Sequence, residues 1–212
     1  LALMYSIVVL LVGLLSYYVS TLVSRRFESY QAEIQSDFEK LCTANSTLNH
    51  FANHDQLTGL FNRHFFEVYM EKELAKTQSD DDKFLVCFID VDNFKKVNDL
   101  LGYQKGDDIL NDTVDIIDAQ VADDDILFRL GGAKFILICQ EKDFDYAYKA
   151  AQRIHATFND SHLYQSSGVS LSMGVARKTV QDSTSDWVKQ LNSAVFKAKK
   201  TGKDRIIKAI NY

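Results

Sequence analysis

The sequence predicts an α/β (α+β) domain, with helices packed against one mixed central sheet, carried on a long N-terminal helix. Three observations lead there. From residue 62 onward, short apolar runs rich in Val, Ile, Leu and Phe alternate with longer segments of helical pattern, and strands alternating with helices imply a sheet covered by helices. Near the middle, two apolar runs flank a glycine pair in Phe128-Arg129-Leu130-Gly131-Gly132-Ala133-Lys134-Phe135-Ile136-Leu137-Ile138-Cys139. Glycine tolerates the positive φ of a tight turn, so these runs are expected to form a hairpin within the sheet. At the N-terminal end, Leu1 to Val23 is uncharged and almost wholly apolar.

That apolar stretch is long enough, at about 1.5 Å per residue, to cross a hydrocarbon core of about 30 Å. Residues 1–24 are therefore expected to form a transmembrane helix. A signal peptide fits less well, because the stretch is too long, no basic region precedes it and a small-residue cleavage pattern is lacking. Arg25 and Arg26 follow directly, and the positive-inside tendency places the rest of the chain in the cytoplasm, beneath the inner (cytoplasmic) membrane. The chain opens on Leu rather than Met and is expected to be part of a longer protein.

Residues 25–54 contain neither Gly nor Pro, and Phe27, Ile34, Leu41 and Leu48 recur every seven residues, with Tyr30, Phe38, Ala44 and Phe51 near the intervening positions. This pattern predicts a juxtamembrane signalling helix that pairs in a parallel coiled coil. Asp37 and Asn45 interrupt it, and an amphipathic helix packed on the domain is the alternative. His54-Asp55-Gln56-Leu57-Thr58-Gly59-Leu60-Phe61-Asn62-Arg63 reads as a turn between helices. Asp55 and Thr58 can cap backbone groups, Gly59 permits the bend, and Asn62 is placed to cap a helix running to about Gln78. Ser79 to Lys83 is expected to be a solvated loop. The remaining elements are read as strand 84–91, helices 93–101 and 106–120, strands 125–130 and 134–140, helix 143–158, strand 168–177, helix 185–200 and strand 205–209.

With 212 residues, 46% of them hydrophobic, the chain can bury one full-sized core and carry an appendage. A net charge of -5 supplies no basic footprint for nucleic acid. The three cysteines show no CxxC spacing, and Cys87 and Cys139 fall inside predicted strands, which fits reduced core thiols better than a metal site.

Several segments together carry a resemblance. Asp55 to Arg63 is similar to the D-x-L-T-G-L-x-N-R entry turn of the GGDEF family, the diguanylate cyclases that join two GTP molecules into cyclic di-GMP. Phe84 to Asp99, the double-glycine hairpin, Ser172-Met173-Gly174-Val175-Ala176 and Ala194 to Arg205 match further family segments. The resemblance covers about Asp55 to Ile210, making 55–212 the GGDEF domain. It implies a ferredoxin-like core of the nucleotidyl cyclase and polymerase-palm type.

On its own chemistry, Asp90 ends a buried apolar run, where a carboxylate is costly without compensation. The resemblance makes Asp90 and the backbone carbonyl of Val91 the metal ligands, with Mg2+ or Mn2+ as the ion accompanying bound nucleotide. Asp92 is expected to cap the following helix. Asn98, and Asp107 opening the next helix, stand where the family reads guanine; a carboxylate accepts from guanine N1–H and N2–H together, which adenine cannot match. Lys199 and Lys203 match the cations that hold the triphosphate, Lys203 replacing an arginine and losing its bidentate fork.

The tip departs from the family. It reads Gly131-Gly132-Ala133-Lys134-Phe135, so Ala133 stands in place of a metal-binding carboxylate and Lys134 in place of a glutamate. Loss of a direct ligand is expected to cost a two-metal phosphoryl transfer about a thousandfold in rate. The family's product-inhibition motif R-x-x-D falls on Ala122-Asp123-Asp124-Asp125; with Ala122 replacing the arginine, cyclic di-GMP is not expected to bind there. Three readings follow. The first is a catalytically degenerate GGDEF protein that binds GTP or dimerises, with itself or with another GGDEF protein. The second is a working cyclase whose metal shell another carboxylate such as Asp92 completes. The third is a structural signal transmitter without nucleotide.

Overall fold

The structure is a computed structural model that describes residues 2–76, 84–139, 144–178 and 184–209. The loop expected at Ser79 to Lys83 lies outside the described residues. Helix α1, Ala2–Asn53, has no buried residue. It contains a window long and apolar enough to cross a membrane by length and composition. The contacts divide the chain into Leu1–His50 and Phe51–Tyr212.

The second unit is built on a six-stranded mixed sheet of order β1-β3-β4-β2-β5-β6, comprising β1 (Phe61–Asn62), β2 (Phe84–Val91), β3 (Ile126–Gly131), β4 (Lys134–Cys139), β5 (Leu171–Lys178) and β6 (Arg205–Lys208). The pairs β1–β3 and β5–β6 are parallel, and those joining β3, β4, β2 and β5 are antiparallel. Central β2 explains the layering, because side chains alternate between faces along a strand. Its odd residues Leu85, Cys87, Ile89 and Val91 pack into one core with α3 (Phe94–Leu101), α4 (Tyr103–Asp118) and α5 (Phe144–Asp160). Its even residues Val86 and Phe88 join a second core with Phe66 and Met70 of α2 (Arg63–Lys76) and Leu191 and Val195 of α7 (Thr184–Lys200). A strand buried on both faces reads as a continuous apolar run, as β2 does. Cys87 and Cys139 are buried and form no disulfide, and burial pushes the Cys87 thiol well up, with Cys139 adding to the rise.

Several boundaries differ from the sequence reading. Strand β1 is only two residues long, and α6, His162–Ser167, occupies part of the stretch before β5; both are too short to show a hydrophobic period. Helix α4 begins at Tyr103, because Gly102 alone, at φ 87°, breaks the chain between α3 and α4. Gly106 therefore lies inside the helix, and Asp107 does not open it. A Cβ on Gly106 would fall 1.8 Å from Asn98 Oδ1 and 3.3 Å from the Phe94 ring, so this glycine gives space to Asn98 rather than a turn. The hairpin turn is formed by Gly132 and Ala133, with a register irregularity between Arg129 and Gly131.

The entry turn is built as its residue types suggested. Asp55 Oδ1 accepts from the Thr58 amide at 3.0 Å and its hydroxyl at 2.8 Å, and Gly59 adopts φ 71°. Asn62 Oδ1 accepts from the Phe65 amide at 3.0 Å, capping α2, while its Nδ2 donates to Ala52 O at 2.8 Å. Arg129, 9% exposed on β3, joins this turn to the hairpin. Its Nη1 lies 2.6 Å from Asp55 Oδ1, and its Nε and Nη2 donate to Gly132 O at 3.0 and 2.8 Å. Burial pushes the Asp55 carboxyl up, but hydrogen bonds from Arg129 and Thr58 outweigh it and hold the group below its usual value.

Two stability measurements follow from this packing. Urea unfolding of Gly174→Ala is expected to show a loss of about 1–3 kcal/mol from overpacking, because a Cβ there would meet Ala194 Cβ at 2.9 Å and Leu191 O at 3.2 Å. Asp55→Asn is expected to cost about 1.5–3 kcal/mol at pH 7 through loss of a charge-assisted hydrogen bond. A carboxyl whose folded pKa is depressed stabilises the fold above its unfolded value, here 3.8, and that contribution disappears as pH falls through the folded value. The stability difference between the wild type and Asp55→Asn should thus stay constant near neutrality and shrink below about pH 4; a difference independent of pH would exclude the ionic clamp.

Candidate nucleotide site

A cleft of about 770 Å³ opens where β2 ends, the hairpin turns and α7 finishes, and its lining includes Asp90, Val91, Ala133, Lys134, Lys199 and Lys203. Thus six residues named from the sequence meet at one place. Asp90 is 6% exposed, and its Oδ1 lies 2.7 Å from Lys199 Nζ. Burial pushes the Asp90 carboxyl above its ordinary value. The hydrogen bond and charge of Lys199 and the charge of Lys134 pull it back only in part, and neighbouring Asp92 adds to the rise. Lys134 sits directly across the ladder from Asp90, a placement that puts both side chains on the same face of the sheet.

The hairpin tip bends back onto the same strand end. The Val91 amide donates to Ala133 O at 3.0 Å, and Ala133, 8% exposed, packs with the core of the α3–α5 face. Asp92 does not cap α3 as expected. Its carboxylate accepts from the hydroxyls of Ser170 at 2.8 Å and Ser172 at 2.8–2.9 Å, and from the Asp204 amide at 3.3 Å. The N-cap is Asn93, at φ 60°, and its side chain makes no capping bond. Instead, Asn93 Oδ1 accepts from Lys203 Nζ at 2.7 Å, and its Nδ2 donates to Gly168 O at 3.1 Å. Asn93 also lines the cleft; its left-handed backbone, rather than any sequence period, marks it.

Asn98 and Asp107 are not part of that lining. They lie on the facing helices α3 and α4, where Asn98 Oδ1 is packed against Gly106. This oxygen is buried without a hydrogen-bond partner. Phe94, one turn earlier, reaches both the cleft and Gly106. Asp107 is exposed on α4.

The donor set does not fit a pair of divalent cations. Such ions require several oxygen ligands at once, whereas Asp90 is engaged by an ammonium, Ala133 has no donor and Lys134 is cationic. Among the described residues no three His, Cys, Asp or Glu side chains come together as a metal site. The arrangement is instead suited to holding anions. At the Ala122 to Asp125 segment, the retained Asp125 accepts from the Ala122 amide and the Tyr146 hydroxyl, both at 3.0 Å, and no arginine stands at Ala122 to grip a guanine.

Comparison with known proteins gives the family. The domain described as "Diguanylate cyclase, GGDEF domain" matches residues 52–205. Diguanylate cyclase DgcM of Escherichia coli is 31% identical over 166 residues, covering 76% of this chain and 40% of that protein. Diguanylate cyclase DgcS of Shewanella oneidensis is 32% identical over 150 residues, covering 71% and 50%. The chain thus spans half or less of the length of these relatives. Among solved structures, the coiled coil and GGDEF domain of DgcB from Caulobacter crescentus, in complex with c-di-GMP, superposes with a TM-score of 0.79 at 23% identity, covering 86% of this chain and 99% of that one. The GGDEF domain of PA1120 (TpbB or YfiN) from Pseudomonas aeruginosa does so with a TM-score of 0.66 at 29% identity, covering 74% and 94%. The six-stranded sheet is accordingly the nucleotidyl cyclase fold, and the chain belongs to the GGDEF domain family, the diguanylate cyclase domains of cyclic di-GMP signalling.

Proposed function

We propose that this chain is a membrane-anchored GGDEF protein that has lost cyclase turnover and serves cyclic di-GMP signalling as a GTP-binding, dimerising regulatory module. The observation that carries the reading is the state of Asp90. Lys199 Nζ stands 2.7 Å from its carboxylate, and the tip opposite it presents Ala133 and Lys134. GGDEF cyclases use Mg2+ or Mn2+, which neutralises charge and orients the reacting oxygens in such phosphoryl transfers. An ammonium supplies charge without that orientation.

GTP binding is supported by Lys199 and Lys203 at the cleft. Pairing with a second copy or with another GGDEF protein is supported by the stripe on α1, where Phe27, Ile34, Leu41 and Leu48 are 60–70% exposed. The apolar window of α1 supports anchoring through residues 1–24 in the inner membrane. The alternative, a working cyclase with Asp92 completing a metal shell, is disfavoured because both Asp92 oxygens accept hydrogen bonds from serine hydroxyls, those of Ser172 on β5 and Ser170 just before it.

The full chain in detergent micelles, incubated with GTP and Mg2+ or Mn2+ and assayed for cyclic di-GMP by mass, is expected to yield none. Product that accumulates and disappears with Asp90→Ala would overturn the degenerate reading. The double substitution Ala133→Asp with Lys134→Glu is expected to give detectable cyclic di-GMP where the wild type gives none, since a lost ligand costs about 4 kcal/mol, on the order of a thousandfold in rate.

A further inference from the structure

Extending that reading of the same cleft, we infer that it takes the polyphosphate of a nucleotide without a divalent cation, Lys134 supplying part of the positive charge that metal ions supply in the cyclases. The charge of the lining points this way. Arg63 pairs with Glu67 at 2.9 Å and Lys199 with Asp90 at 2.7 Å, so two of the cations at the cleft are matched by its two carboxylates. Lys95, Lys134 and Lys203 remain, and the lining is net +3 in a chain whose overall charge is -5. A concave surface of one sign on a protein of the other focuses its field on incoming anions.

The backbone at the rim adds directed donors. Helix α3 starts at the cleft with no side-chain cap and no acidic residue in its first turn, so its opening amides remain available to phosphate oxygens, which helix N-termini favour. Three non-glycine residues here are held in the left-handed region, Asn93 at φ 60°, Lys203 at φ 62° and Asp204 at φ 49°. The Asn93–Lys203 hydrogen bond ties two of them together across the rim, fixing the Lys203 ammonium over the opening. A magnesium complex of the same nucleotide carries less negative charge and brings a cation toward Lys134, so it is the poorer ligand.

Calorimetric titration of the full chain in micelles with GTP, and separately with inorganic tripolyphosphate, in EDTA and then in excess Mg2+, tests this. Both anions are expected to bind in EDTA at least as tightly as in Mg2+. Lys134→Glu is expected to weaken binding in EDTA by about tenfold or more, and Lys134→Arg to retain it. Lys134 is solvent-exposed, and thermal melting of each variant checks that the fold persists. Binding that requires Mg2+ overturns the inference and leaves the GTP-binding reading standing. Binding in neither condition overturns both. Binding of GTP in EDTA that neither tripolyphosphate nor Lys134→Glu affects would place the affinity in the base and overturn the role of the lysine.

Discussion

Two carboxylates at the end of the central strand must be compensated, and the surrounding structure is arranged to do it. Asp90 and Asp92 are both buried, and an unpaired buried charge is among the costliest features a fold can hold. They are handled differently. Asp92 receives neutral donors, the hydroxyls of Ser170 and Ser172 and the Asp204 amide, and so fastens β5 and the loop before β6 to the end of β2. Asp90 receives Lys199 from α7. One acid is thus part of the framework, and the other faces the cleft.

The hairpin tip has to be placed as firmly as the strand end, and Arg129 does this from behind. Its guanidinium holds Asp55 on one side and Gly132 O on the other, so the entry turn, the sheet edge and the tip move together. Arginine suits this because its planar fork makes several bonds in a fixed geometry. The Ala133 carbonyl, which receives the Val91 amide, follows directly from Gly132 and shares this support.

Much of this fold was legible because local pattern and tertiary role agreed. The unbroken apolar run of β2 announced burial on both faces, and Asn62 announced a cap by its type and position. Where local and tertiary roles diverged, the sequence misled. Asp92 has the residue type and place of an N-cap, yet two serines about eighty positions away compete for it and win. Gly106 looks like turn punctuation but is a packing glycine beside Asn98. The candidate cleft residues were found through family motifs, but the pairing of Lys199 with Asp90 was not, because it joins residues far apart in the chain and depends on how α7 lies on the sheet. Arg129 carried a faint signal, a lone cation within an apolar strand, which is rarely buried without a partner.

Ala133 and Lys134 make better sense as a pair than as separate losses. A carboxylate at 133 beside Asp90 would be a second buried acid at one point, tolerable only with cations to hold it. Replacing it with alanine removes that demand and lets the position join the core, where Ala133 packs. Lysine at 134 then puts a positive charge opposite Asp90, on the lining of the cleft. On the proposed function, the pair separates two properties that metal ions combine: attraction for phosphate is kept, while the rigid orientation of two reacting oxygens is not. On that same proposed function, the two together make an anion seat on the backbone of a reaction centre.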